Sequence, residues 1–316
     1  MSSDSRGSVS RDAAIEAALL AMCAFWALNV VILKLLLRVL PPPALSGGRY
    51  LIVCGVALAV VAAGRGPWTV GRQDLARFVL SGFLGVTVYQ ILFLEGLHRS
   101  TAFASNLLQG MEPLFALGLL SLRGRSRVSP RQWAGVLVAL AGAALFFLDP
   151  ARGRLQLLFG LGDLLNLAGA FVFAVYGLVS APVFARYPGR TAMAVSMIAG
   201  TLPLLLWSGP SLLAVDWRGL GPTVWGALLV SSVLPLYAGF WIWNWAVARK
   251  GLDHASLYIF VDIVMSGVFA WALLGERFGP LRLLGAAVIL AGILLARSGE
   301  RGEKGSALAE NVDERV

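Results

Sequence analysis

The chain has 316 residues, of which 58% are hydrophobic and only 14% charged, with a mean hydropathy of +0.77 and a formal net charge of +9. A soluble domain carries nearer a quarter of its residues charged, so this composition excludes an ordinary water-soluble enzyme or binding module. The basic excess sits singly or in small groups between apolar runs, with no basic domain and no interleaved aromatics, which excludes nucleic-acid binding and fits positively charged loops on one side of a membrane.

Each apolar run is close to the roughly 20 residues that cross a hydrocarbon core of about 30 Å. Read between breakers, the runs predict ten transmembrane helices near residues 14–38, 46–64, 75–96, 101–122, 131–148, 157–181, 191–208, 222–246, 252–274 and 280–297. The breakers are Pro41-Pro42-Pro43, Gly64-Arg65-Gly66-Pro67, Asp149-Pro150, Tyr187-Pro188-Gly189 and Ser208-Gly209-Pro210. Arg6 and Arg11 precede the first run, which continues to about Leu40 without a small-residue cleavage site, so an uncleaved span is expected there rather than a signal peptide. The polar stretch from Ser298 onward is expected to be disordered. Ten spans place both termini on one side. That side receives 17 of the 26 basic residues, including Arg123, Arg125 and Arg127, and leaves 9 for the other, which predicts cytoplasmic termini.

Taken in chain order, the spans hold the following candidates. The first has Trp26 and Asn29 one turn apart and deep, while Lys34 and Arg38 read as snorkelling toward the outer face. Cys23 in this span and Cys54 in the second have no pairing or metal-ligand spacing and read as small packing residues. The third contributes Tyr89 and Phe93, with Glu95 near its end. In the fourth, Ser105, Gln109 and Glu112 share one helical face, and Pro113 cannot donate to the carbonyl of Gln109. Such a broken turn either lines a wet cavity or serves as a packing kink. Gly135, Ala139 and Ala143 give the fifth span a small-residue face for close helix packing. The sixth holds Asp163 near an interface and Tyr176 deeper. Tyr237, Trp241 and Asn244 fall on one face of the eighth, an aromatic wall beside an amide that suits an amphiphilic solute, although Trp near a helix end also anchors at interfaces. In the ninth, His254, Tyr258, Asp262 and Ser266 recur every four residues as a polar stripe.

Glu112 and Asp262 stand apart by depth. Each lies ten or eleven residues into its predicted span, about 15 Å at 1.5 Å per residue, near the bilayer midplane. They are also 150 residues apart, and that shift recurs: SRVSPRQWAGVLVALAG at 126–142 matches ERFGPLRLLGAAVILAG at 276–292 at seven of seventeen positions, including Arg127/Arg277, Pro130/Pro280, Gly135/Gly285 and Gly142/Gly292. The expected fold is an all-α membrane protein of ten transmembrane helices in two five-helix repeats. An odd number of helices per repeat inverts the second relative to the first, the scaffold of alternating-access carriers. Desolvation at the midplane disfavours a charged carboxylate, so each acid either exchanges protons during transport or stays protonated as an interhelical hydrogen bond.

The stretch Ala255 to Gly292 resembles the signature half of an EamA domain, the unit of the ten-helix drug/metabolite transporter superfamily, and Ala104 to Gly142 resembles it more loosely. Together with Gly96-Leu97-His98, the resemblance covers about residues 15–297, with repeats at 14–148 and 157–297 between a cytoplasmic segment at 1–13 and the tail at 298–316. The family's Glu-Pro is present as Glu112-Pro113 but reads Asp262-Ile263 in the second copy. Its Gly-Glu is present as Gly275-Glu276 but reads Arg125-Ser126 in the first. The resemblance implies a multi-pass carrier of the inner (plasma) membrane, monomeric or weakly dimeric, that exports amino acids or similar small metabolites without a cofactor. A multidrug carrier of the same fold is the alternative. An intramembrane enzyme lacks support, since no HExxH, GxSxG or Gly-rich phosphate loop occurs.

Overall fold

The structure, a computed structural model, describes the backbone of residues 4–63, 70–122, 129–149, 156–157, 159–250 and 258–313, and side chains between residues 14 and 296 with a few exceptions, Asn244 among them. His254 and the basic loop of Arg123, Arg125 and Arg127 lie outside the described residues. Apart from a two-residue antiparallel pairing of Leu148–Asp149 with Gln156–Leu157, the described chain is helical. Among the described residues, six helices are long and apolar enough to cross a membrane: Ala14–Leu36, Pro42–Val60, Arg72–Arg99, Leu161–Arg186, Thr191–Ala214 and Pro222–Trp243. Shorter apolar helices cover Val261–Leu274 and Pro280–Ala296. The chain is a multi-pass helical membrane protein.

Two compact units divide it. The first comprises Met1–Gly110 and Leu161–Glu276. It contains α1 (Asp4–Leu36), α2 (Pro42–Ala63), α3 (Arg72–Gly82), α4 (Tyr89–Arg99), α5 (Ala102–Gln109), α8 (Leu161–Arg186), α9 (Gly189–Ala214), α10 (Pro222–Val233), α11 (Phe240–Lys250) and α12 (Tyr258–Leu274). A π-helical turn, π1 (Phe83–Val88), joins α3 to α4, and a second, π2 (Leu234–Gly239), joins α10 to α11. The second unit comprises Met111–Gly160 and Arg277–Val316 and contains α6 (Glu112–Leu122), α7 (Pro130–Phe146) and α13 (Pro280–Asp313).

Local chemistry sets the ends. Thr101 caps α5 by accepting from the Ala104 amide at 3.2 Å, and Ser129 forms a capping box with Gln132 at the start of α7. Pro130, Pro222 and Pro280 open their helices, where a missing N–H costs nothing. The break expected at Ser208-Gly209-Pro210 does not occur: α9 runs through Pro203 and Pro210 to Ala214. Neighbouring helices and side chains re-satisfy freed backbone groups in membrane helices, so proline ends them less reliably than in soluble ones. Likewise α13 continues to Asp313, where polarity suggested disorder, because Ala, Leu, Glu, Lys and Arg are good helix formers.

Small residues let the backbones approach. In the first unit α2 packs antiparallel on α9, with Ala57 against Ala194 at one end and Gly47 against Ser208 at the other. A Cβ on Gly82 would collide with the backbone at Ser196 and Gly200, and Thr87 of π1 donates to the carbonyl of Gly200 at 2.6 Å. In the second unit α7 and α13 run antiparallel, Gly135 against Gly292 and Ala296, and Gly142 against Gly285 and Ile289. The small face read from Gly135 and Ala139 is thus used inside the chain.

Candidate functional site

Three groups of side chains in the first unit carry the polar contacts that bear on a site. On α5, Ser105 and Gln109 both meet Asn166 of α8: Asn166 Nδ2 donates to Ser105 Oγ at 2.9 Å, and Gln109 Nε2 donates to the Asn166 carbonyl at 3.3 Å. The shared face read for Ser105 and Gln109 therefore forms. Between them, Asn106 points to α12 and donates to Asp262 Oδ2 at 3.1 Å. Asp262 is 6% exposed, and its Oδ1 has no partner among the described residues. Neither does Ser266, one turn on.

The second gathering is at the π turns. Pro235 has no N–H, so the carbonyl of Ser231 is left without its helical donor. Trp26 of α1 packs on Gly239, and its Nε1 donates to the carbonyl of Pro235 at 3.0 Å. Tyr176 of α8 packs in the same way on Gly85 of π1, and Tyr89, Phe93, Phe173 and Tyr176 form a continuous run of rings.

The third is Arg49 of α2, only 1% exposed. Its Nη2 donates to the Ser231 carbonyl at 2.6 Å and to Asn29 Oδ1 at 3.3 Å, so it satisfies the acceptor that Pro235 freed. Asn29 and Ser231 also line a narrow groove with Phe25, Leu28 and Ile32 of α1 and Val230, Leu234 and Pro235 of α10 and π2.

Other expectations came out differently. Tyr237 and Trp241 do not share a face, because Tyr237 lies in the wider π turn, which shifts the register before α11. Tyr237 packs toward Ala57 and Ala194, while Trp241 is 59% exposed and stacks on Trp245. The side chain of Asn244 lies outside the described residues. Tyr258 leaves the stripe of Asp262 and Ser266 by donating its hydroxyl to Glu16. Glu112 opens α6 in the second unit, past the interruption at Gly110 and Met111, and is half-buried. Lys34 does not snorkel: it turns inward and donates to the carbonyls of Leu97, His98 and Ser100, capping the end of α4.

Four residues of this core escaped the sequence reading. Arg49 is the fourth residue of the span expected at 46–64; α2 starts at Pro42, which puts it about 10 Å in at 1.5 Å per residue. Asn106 and Asn166 carried no distinguishing spacing. Glu276 was noted only as half of Gly275-Glu276. In the structure Gly275 takes φ +69°, a left-handed conformation suited to glycine, and Glu276 accepts from the amides of Ala102 at 2.6 Å and Phe103 at 3.3 Å, capping α5.

Apolar spanning helices that enclose buried, incompletely partnered polar groups define a membrane protein with a polar path or site within it. The chain belongs to the EamA-like transporter family, whose model matches residues 14–148 and 160–298. It is 32% identical over 250 residues to a "Probable terminal-alkyne amino-acid exporter" of Streptantibioticus cattleyicolor, covering 78% of this chain and 80% of that one. It is 24% identical over 290 residues to a "Probable amino-acid metabolite efflux pump" of Escherichia coli, covering 88% and 93%. A protein of known crystal structure shares the fold, with a TM-score of 0.59 at 19% identity over 90% of this chain and 96% of that one.

Proposed function

We propose that the chain is a secondary carrier that exports amino acids or similar small amphiphilic metabolites by alternating access, with ten spans in two inverted five-helix repeats and both termini in the cytoplasm. The observation that carries the reading is the alignment, over most of both chains, with relatives named as an amino-acid exporter and as amino-acid metabolite efflux pumps. Packing supports the inverted repeat. The π turns fall at matching places in the two halves, and Trp26 of the first half packs on π2 while its mate Tyr176 packs on π1. The mates α7 and α13 run antiparallel. Asn29, Tyr89, Gln109, Tyr176 and Tyr237 are proposed as solute-facing residues, and Asp262 and Glu112 as the acids that couple transport to protons.

Counterflow in proteoliposomes tests the carrier reading. Vesicles preloaded with one unlabelled amino acid should transiently concentrate the same labelled amino acid, which a channel or an enzyme does not do. Absence of counterflow for all twenty standard amino acids would remove this substrate class.

A further inference from the structure

Arg49 is a permanent cation packed inside the first unit, and no acid pairs with it among the described residues. Its two acceptors are a neutral amide oxygen, at the long distance of 3.3 Å, and a backbone carbonyl. Two neutral acceptors need only a neutral donor such as Gln. A buried guanidinium without a counter-charge is costly to keep, and structural clamping alone does not account for the charge.

Geometry shows where a counter-charge would sit. Nε is buried with no partner among the described residues, and it lies on the same edge of the guanidinium as Nη2. That edge is the fork that binds a carboxylate through two parallel N–H groups. The two residues that accept from Nη2, Asn29 and Ser231, are also the polar members of a narrow groove otherwise lined by Phe25, Leu28, Ile32, Val230, Leu234 and Pro235. Asn29 lies about 10 Å from the end of α1, Arg49 about 10 Å from the start of α2 and Ser231 about 14 Å from the start of α10, so three helices place the site at similar depth.

We propose that Arg49 is the counter-charge for the carboxylate of the transported solute, which enters along the groove between α1 and α10–π2 and takes the place of Asn29 Oδ1 on the guanidinium edge. The apolar groove walls then receive the solute's side chain. This assignment rests on the reading of the chain as an amino-acid carrier.

The test uses the intact protein in proteoliposomes and the amino acid that gives the strongest counterflow, together with its carboxamide and its decarboxylated amine as competitors. The amide and the amine should compete at least tenfold more weakly than the amino acid. In Arg49→Lys, which keeps the charge but not the fork, the amino acid should lose at least tenfold in competition while the amine is unchanged. Counterflow inhibited equally by amino acid and amide in the wild-type protein would overturn the Arg49 assignment and leave the carrier reading intact. So would an Arg49→Lys variant that weakens amino acid and amine alike. No counterflow with any amino acid would remove the carrier reading, and this assignment with it. The wild-type comparison needs no substitution, so a variant that fails to fold does not rescue the proposal.

Discussion

Asp262 shows how much one side chain can be asked to do. Its Oδ2 is held by Asn106, and its Oδ1 is free of protein partners among the described residues, so a proton can come and go without breaking the contact that joins α5 to α12. Asp262→Asn keeps an acceptor oxygen for Asn106, and the fold should tolerate it. If Asp262 couples transport to protons, this variant should retain counterflow but lose uphill transport driven by a pH gradient. The same comparison with Glu112→Gln shows whether Glu112 shares the task. Gradient-driven transport that survives in both variants would mean protons do not couple through this pair. The two acids stand out in the sequence because a carboxylate deep in an apolar run is anomalous by itself. Arg49 does not, because its depth depends on where α2 begins, and a start four residues late turns a buried cation into an interfacial one.

At the scale of helices, the firmest reading was the paired glycines. Gly135 and Gly142 match Gly285 and Gly292 in sequence, and in the structure they bring the backbones of α7 and α13 together: a Cβ on Gly142 would lie 2.5 Å from the Ile289 amide nitrogen. Gly118 of α6 has open space instead, with nothing within 4 Å of an added Cβ. Gly142→Leu should therefore destabilise the purified protein by about 1–3 kcal/mol through overpacking, while Gly118→Leu should be neutral or slightly stabilising. Thermal unfolding in detergent compares them directly, and equal midpoints would mean the close approach contributes nothing. Helix positions were legible because hydropathy and breakers are local properties. The π turns were not, and with them went the expected face of Tyr237 and Trp241. A π turn is set by where Pro235 and Thr87 find tertiary partners, which no spacing along one helix records.

For the whole molecule, the open question is which side faces the cytoplasm, and the first unit constrains it. Ser100 donates to Asp163, and Lys34 caps the end of α4, so the ends of α1 and α4 and the start of α8 lie together. Asp74 accepts from Arg186 at 2.6 Å and from Tyr187 at 2.9 Å, so the start of α3 meets the end of α8. The helix from Arg72 to Arg99 thus runs between the same two ends as α8 in the opposite sense, as alternate crossing requires. Contacts fix this alternation but not its direction, which the basic residues must set. Arg72, Arg77 and Arg186 lie at the Asp74 end, and the basic-residue bias assigns all three to the terminus side. That end should be cytoplasmic. Exposed positions at each end allow a direct check: Gln73 beside Arg72, and Arg218 in the link between α9 and α10. In a background without Cys23 and Cys54, an impermeant thiol reagent applied to intact cells should label Arg218→Cys and spare Gln73→Cys until the membrane is opened. The reverse pattern would invert the orientation, and with it the assignment of export, since the side from which a solute reaches Arg49 first depends on which end faces the cytoplasm.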